Sequence, residues 1–575
     1  MKVDGSIILA KCMKDAGVEK VFTLCGGHIY RLHMELEKLG VEVIDVRNEG
    51  AGSYAALTYA QITGKPGVFI ATAGPGVTNT MTAVCDAKST GTPLMILGGA
   101  SPAATRLKEN LQEYDTVGLM RSSTLWAESC NDTKRVAEYF AMAYRSCMGV
   151  AEMGPVYLEL PEDVLEDIAV DEEDVFYPTD YVFNGAAAGD PESIRKAAEL
   201  LVHAQRPAMI LGDFCHVGCP DTGVFRELAE YLQIPTSSSR ASRGTCFQED
   251  TPLMRTGDAA AKGADVILFF NVKADLAAAK SYNPDAKYIS VSRYAKYIGL
   301  NRGVTVGIPA FPGVVARQLL DAVKEMTPRR ESSAWAQQVA AGREAGIRAF
   351  QPAYTAQGKP IPASRVAAEL QRFMNDGGRD ACLLVDGGDC AMWSLMSSAM
   401  LMDDTGKFPG RTHYGTRMGT IGYGMGAAIG MWAATGRPIV LPIGDGSLGE
   451  YIGEIFAFAK FGIPVIVLVY NDACYAMIKY GMLKYFDEKD DTDVALTLFN
   501  HDGSYFHYEK VAEAVGGYGE YVTDADQILP ALNRAKESGK ISVINVVTKM
   551  SRENFSPATI SMMDDFHPAM GTVKE

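Results

Sequence analysis

At 575 residues, the chain has room for roughly three domains of about 100–200 residues each. Hydrophobic residues make up 47% and charged residues 22%, a composition that excludes a mainly disordered or fibrous protein. The 54 Lys and Arg against 70 Asp and Glu give a net charge of −16, which repels phosphate backbones and anionic lipid and so argues against nucleic-acid and membrane-surface partners.

Met1-Lys2-Val3-Asp4-Gly5 leads straight into a helical pattern with no basic-apolar-cleavage sequence, so no secretory signal is expected. No apolar run approaches the ~18–20 residues of a membrane span. The eleven cysteines sit singly at irregular spacings, as reduced thiols do. Cys215, His216 and Cys219 form one cluster without a second Cys/His pair, and the eight histidines make no HExxH, so no structural zinc is expected. The expectation is a cytoplasmic protein.

Short β-branched runs alternate with longer helical stretches along the chain, the pattern of parallel sheets with crossover helices. The first block, 1–170, reads as strands at Val21–Leu24, Val41–Val46, Val68–Ala73 and Leu94–Gly98. A helix from about Ile7 to Ala16 would be capped by Ser6 and stopped by Gly17. The acidic, Pro- and Gly-containing stretch Val170–Ala188 reads as a linker. A middle block, 189–324, carries strands at Pro207–Gly212, Ala264–Asn271 and Lys287–Val291 and a helix at Phe225–Leu232. The stretch from Glu325 to Pro362 joins it to a third block, 360–550, with strands at Leu383–Asp386, Pro438–Ile443, Val465–Tyr470 and Ile541–Val547. Its helices are Ser364–Met374 and Gly449–Phe461, and residues 551–575 form a tail. The fold class is therefore α/β, with three doubly wound parallel-sheet domains.

The strongest chemical signal is Gly444-Asp445-Gly446-Ser447 at a strand end, followed by a helix and a second strand ending in Asn471-Asp472, with residues 447–470 between. One helix and one strand fill that interval, so both motifs reach the carboxyl edge of one parallel sheet, where ligands bind. The glycines allow backbone amides to approach a diphosphate, while Asp445 and the side chain of 471 or 472 offer hard oxygens to Mg²⁺. Far upstream, Glu49 follows a strand and opens a small-residue helix, Glu49-Gly-Ala-Gly-Ser-Tyr-Ala-Ala56. Alone, an acid there also reads as a helix-dipole partner.

The GDG–helix–strand–Asn-Asp unit resembles the thiamin diphosphate (ThDP) binding motif, and the resemblance extends over most of the chain. It implies pyrimidine-binding, middle Rossmann-like and diphosphate-binding domains in that order, and a homo-oligomer that is at least a dimer and usually a tetramer. It implies Asp445, Asp472 and the Cys474 carbonyl as Mg²⁺ ligands, with Asp472 standing where the family commonly has Asn. Glu49 is implied as the acid/base on the cofactor pyrimidine, enabling its exocyclic nitrogen to take the thiazolium proton. Thr72-Ala-Gly-Pro75-Gly-Val-Thr-Asn79 looks like a second cofactor-facing loop of the acetolactate-synthase-like branch. Gly419-Thr-Ile421-Gly resembles the loop whose apolar residue wedges the two cofactor rings together. Gly444, Gly446, Ser447, Asn471 and Met477 complete the implied cofactor-binding set.

His28, in Leu24-Cys-Gly-Gly-His28, stands where acetolactate synthases usually carry an apolar residue, and is similar to benzaldehyde lyase. There it and a Gln matching Gln112, in Leu111-Gln-Glu-Tyr-Asp115, handle protons on the substrate; a satisfied structural histidine is the other reading. His413 is a weaker candidate, and Trp126, Tyr30 and Met477 are candidate pocket walls. Met562-Met-Asp-Asp-Phe566 also looks like benzaldehyde lyase. Gly481 falls where acetolactate synthases have a gating Trp, and Ile210–Gly218 shows no GxGxxG phosphate fingerprint, so FAD is not favoured. The middle block shows no obvious basic cluster for a coenzyme A nucleotide apart from Arg293, Lys296 and Arg302, which keeps the CoA-dependent relatives open without favouring them. The implied activity is a ThDP-dependent lyase/carboligase acting beside a carbonyl on a small acyloin, 2-oxo acid or aldehyde. The alternatives are a 2-hydroxyacyl-CoA lyase or oxalyl-CoA decarboxylase-like enzyme, an acetolactate synthase-like transferase, and a catalytically silent ThDP-binding homologue.

Overall fold

The computed structural model describes the chain except residues 150–151, 180, 182–185, 218, 220, 239–245, 247–250, 274–275, 401–411, 486–495, 550–554, 558, 561–562 and 564–575. Most of the 551–575 tail, Met562, 564–566 and the Gly185 end of the linker thus lie outside the described residues. Three parallel sheets appear, one in each block. The first has six strands in the order Glu42–Asp45, Lys20–Leu24, Gly67–Ala71, Leu94–Ala100, Val156–Pro161, Trp126–Ser129. The second has five, in the order Thr236–Ser238, Pro207–Leu211, Val266–Phe270, Lys287–Val291, Val306–Ile308. The third runs Ile361–Pro362, Ser542–Lys549, Val465–Asn471, Ile439–Gly444, Cys382–Leu384, Thr412–His413, with Tyr518–Val522 also paired to Ser542–Lys549. The α/β fold class is as expected. No helix among the described residues is long and apolar enough to cross a membrane.

The chain separates into two compact units. One comprises Met1–Gly185, Gly415–Gly436 and Tyr451–Ile463; the other comprises Ala186–Tyr414, Arg437–Glu450 and Pro464–Glu575. In the first unit the helix Glu49–Thr63 packs on Tyr423–Thr435. Small residues make that approach possible: a Cβ on Gly426 would stand 2.0 Å from the Ala51 carbonyl oxygen, and one on Gly430 would stand 2.0 Å from that of Ala55. Side chains one helical turn apart on each helix form the seam, as i, i+4 neighbours do.

Several local expectations need correction. The first helix spans Gly5–Asp15 and is capped by Asp4, whose carboxylate accepts from the Ile7 amide; Ser6 lies inside the helix, its hydroxyl buried without a partner. Asp4 wins because its side chain sits three residues before the amide it caps. The helix read at Gly449–Phe461 is two, Asp445–Tyr451 and Glu454–Phe461. Strands at Trp126–Ser129, Val156–Pro161, Thr236–Ser238 and Val306–Ile308 add to those expected.

Candidate active site

In the first unit the segment after the strand Glu42–Asp45 turns directly into the Glu49 helix. Asn48, in extended conformation, caps that helix, accepting from the Gly50 amide at 2.8 Å. Glu49 follows as the first helical residue, 8% exposed, and its Oε2 accepts from Asn79 Nδ2 at 3.0 Å. Asn79 closes the turn Pro75–Thr78, with Pro75 exposed at its first position, where Pro's fixed φ suits a helix start. Glu49, Pro75 and Asn79 are thereby brought together at the carboxyl edge of the sheet.

His28 lies at the same edge, half-buried, its Nδ1 3.1 Å from Thr72 Oγ1. It sits so close to the neighbouring strand that a Cβ on Gly99 would stand 2.6 Å from its own Cβ. Gln112 is close by: its carbonyl oxygen would meet a Cβ on Gly74 at 2.6 Å, and Gly74, Gly99 and Gln112 line one small pocket with Ser101, Arg106 and Thr116. Leu107, Glu109 and Gln112 all have positive φ, at 66°, 60° and 62°, conformations that cost L-residues energy and gather at functional loops. Glu113 holds this loop by accepting from the Asn110 amide at 2.9 Å and from the Leu107 amide, bonds that keep its carboxyl below the ordinary range. Trp126 lies on an edge strand, packed on the first core and on Tyr139. Tyr30 is exposed, bonded to Glu166.

The loop of Ile421 belongs to this unit as well. Gly419 and Gly422 have φ of 70° and 80°, and Ile421 between them is half-buried. Asp86, fully buried, accepts from the Arg417 amide at 2.9 Å, and burial raises its carboxyl above the ordinary value. Gln61 donates to the Gly415 carbonyl at 3.0 Å.

The second unit holds the other constellation. The register pairs Gly444 with Tyr470, so Asp445 and Asn471 leave adjacent strands at the same level. Asp445, 2% exposed, accepts from the Gly446 amide through Oδ1, while its Oδ2 is buried without a partner. Burial, and then the Asp472 charge, push the Asp445 carboxyl well above its ordinary range; burial raises Asp472 also. Asn471 spends its amide on Asn545 Oδ1 and the Phe506 carbonyl. Asp472 accepts from the Cys474 amide at 3.2 Å across Ala473, itself at φ 53°. The Cys474 carbonyl accepts from the Ala476 amide at 3.0 Å and retains a second lone pair. Two buried carboxylates, one with an orphaned oxygen, fit a hard divalent cation, which would relieve their repulsion. Among the described residues no three His, Cys, Asp or Glu side chains converge as a metal cluster, so such a cation needs backbone and ligand oxygens too. Ser447 is buried beside this pair, and Met477 is half-buried on the helix Ala476–Tyr485 against Tyr480, Phe555 and Met563. His413 is buried in the edge strand Thr412–His413, its carbonyl accepting from the Val385 amide.

Three buried acids received no role from the sequence, although Glu454 ends the run Gly446-Ser-Leu-Gly-Glu-Tyr-Ile-Gly-Glu454, which also looks like benzaldehyde lyase. Asp86 clamps the Ile421 loop. Asp389 adds its charge to Asp472 and accepts from the Ser556 amide at 3.1 Å. Glu454 accepts from the Arg47 amide at 3.0 and 3.1 Å. Only Glu454 carried a signal, as an acid opening the apolar run Ile455-Phe-Ala-Phe458, and that signal reads equally as helix-dipole compensation.

Three family models match this chain: the thiamine pyrophosphate enzyme N-terminal TPP binding domain over residues 3–119, the central domain over 194–319, and the C-terminal TPP binding domain over 386–546. The 2-hydroxyacyl-CoA lyase 2 of Mus musculus is 28% identical over 97% of this chain and 92% of its own length. That of Danio rerio is 27% identical over 97% and 93%. The acetolactate synthase large subunit IlvG of Mycobacterium tuberculosis is 27% identical over 95% of each chain.

Proposed function

The chain belongs to the thiamine pyrophosphate enzyme family and is a ThDP-dependent C–C lyase/carboligase; from this premise we propose that it cleaves, or in reverse joins, the bond between a carbonyl carbon and a hydroxyl-bearing carbon. Bound ThDP supplies a thiazolium carbon acidic enough to become a nucleophile and a ring able to take up the electron pair of the broken bond. Glu49 exchanges a proton with the pyrimidine nitrogen, oriented by Asn79. Ile421 would support the cofactor rings from the loop that Asp86 clamps. Asp445, Asp472 and the Cys474 carbonyl would hold Mg²⁺, with Gly444, Gly446, Ser447, Asn471 and Met477 as the further cofactor contacts.

The observation that carries the substrate reading is His28. An imidazole can both accept and return a proton. Here it is fastened to Thr72 at 3.1 Å, at the sheet edge that also bears Gln112. In this reading His28 accepts the substrate hydroxyl proton as the bond breaks, and Gln112 orients the carbonyl. Acyloins and 2-hydroxyacyl thioesters both present that hydroxyl.

A second observation favours the thioester. At the carboxyl edge of the middle sheet Arg293 is buried with its guanidinium 4.5 Å from the Phe311 ring, and Lys273 and Lys296 lie 4.3 and 5.3 Å from the Tyr297 ring. Such cations beside aromatic faces suit the phosphates and adenine of a coenzyme A nucleotide. The relatives named 2-hydroxyacyl-CoA lyase 2 point the same way; FAD has no part in this reading. The working form is an oligomer of at least two copies, and eleven free thiols suit the reducing cytoplasm.

Parallel incubation with benzoin, with a 2-hydroxyacyl-CoA, and with pyruvate plus an aldehyde gives a different product from each. Aldehyde from benzoin or from the thioester, lost in His28→Ala, supports the reading. Acetolactate-type product alone would overturn it.

A further inference from the structure

The carboxylate of Glu454 lies against the two residues that precede Glu49, although 407 positions separate it from Arg47 in sequence. Both of its oxygens accept from the Arg47 amide, at 3.0 and 3.1 Å, and the Asn48 amide donates to it as well. The Gly50 amide is taken by the Asn48 side chain at 2.8 Å, and the Gly52 amide bonds the Asn48 carbonyl. The Arg47, Asn48, Gly50 and Gly52 amides at the entry to the Glu49 helix are thus each held. Around it, Asp45 pairs with both Arg47 and Lys460, and the Tyr451 hydroxyl presses so near Gly50 that a Cβ there would stand 2.7 Å away.

Glu454 is 1% exposed. A carboxylate so buried, with backbone amides as its hydrogen-bond partners, carries a desolvation cost that an uncharged acceptor would avoid. In return it offers two oxygens in one plane, enough to hold consecutive amides in a fixed direction. The side chain that follows those amides is Glu49, whose proton exchange depends on placement within a few tenths of an ångström.

We propose that Glu454 is a positioning residue for Glu49: it fixes the Arg47 and Asn48 amides, and through them the direction in which the Glu49 carboxyl meets a cofactor pyrimidine. This rests on the reading of Glu49 as the proton-exchanging group, and the test separates the two.

The full-length protein is compared as wild type, Glu454→Ala, Glu454→Gln, Glu49→Gln and Ala457→Gly, the last weakening the same helix without touching the carboxylate. Amide deuterium uptake over residues 45–52 is read without cofactor; ThDP affinity with Mg²⁺ and deuterium exchange of the thiazolium proton are read with it. Glu454→Ala is expected to loosen residues 45–52 and to slow thiazolium exchange about 10-fold or more, with ThDP affinity within about threefold. Glu454→Gln, which keeps an acceptor, should recover most of the rate, and Ala457→Gly should leave it within about twofold. Thiazolium exchange in Glu454→Ala no slower than in Ala457→Gly, or no recovery in Glu454→Gln, overturns the positioning role. If Glu454→Ala does not fold, Glu454→Asp takes its place: slowed exchange at an unchanged melting temperature supports the role, and wild-type exchange overturns it. Wild-type exchange in Glu49→Gln would instead sink the reading of Glu49 itself.

Discussion

The Tyr54 hydroxyl lies 2.8 Å from Thr420 Oγ1 and 3.4 Å from Asp86 Oδ2, joining the helix that begins with Glu49 to the loop that carries Ile421. Tyr54 is fully buried, its ring 5.5 Å from that of Tyr423. The same loop receives Asp86 at the Arg417 amide, so an acid/base candidate and a cofactor-wedge candidate share one rigid scaffold.

Removing the hydroxyl alone tests that scaffold. Tyr54→Phe keeps the ring and leaves Thr420 and Asp86 short of a buried partner, at a cost of about 1–3 kcal/mol. A fall in melting temperature of the cofactor-free protein is the expected result; an unchanged value would mean that the loop is held by Asp86 and Gln61 alone.

The pH dependence of stability should carry the signature of Glu454. Burial raises its carboxyl from an ordinary 4.5 to about 7, so the folded state binds a proton that the unfolded state has released between those values. Its contribution is fully present below about pH 4.5 and is lost as pH rises through about 7, on the order of 3 kcal/mol. Glu454→Gln resembles the protonated form: its melting temperature should match wild type near pH 5 and exceed it near pH 8. Parallel curves for the two proteins would contradict the assignment.

Much of this architecture is legible in the sequence because it rests on local pattern. Lys287–Val291 and Val465–Asn471 are buried apolar runs and read directly as parallel strands. Thr236–Ser238 and Val306–Ile308 are three residues each and carry too little pattern to register. The candidate site divides in the same way. Asp445 and Asn471-Asp472 reveal themselves by spacing within one helix–strand unit. The clamps do not: Asp86 meets Arg417 across 331 positions and Glu454 meets Arg47 across 407, and only tertiary folding brings such pairs together. Ser6 fails as a cap for a related reason, since Asp4 competes for the same helix start.

Metal dependence follows from the orphaned Asp445 oxygen. ThDP should raise the melting temperature only when Mg²⁺ is present, by an amount equivalent to about 2.7 kcal/mol at a hundred times its dissociation constant. Asp445→Ala should abolish this gain while leaving the protein folded, because it removes a carboxyl whose burial is unfavourable in the metal-free state. An equal gain in Asp445→Ala would place the metal elsewhere.

Deuterium exchange of the thiazolium proton in ThDP bound to wild type and Glu49→Gln tests the central claim most directly. Gln preserves volume and can still bond the pyrimidine nitrogen and Asn79, but it cannot exchange a proton. The account predicts near wild-type affinity for ThDP with Mg²⁺ and exchange slowed about 10²-fold or more; exchange at the wild-type rate would contradict it.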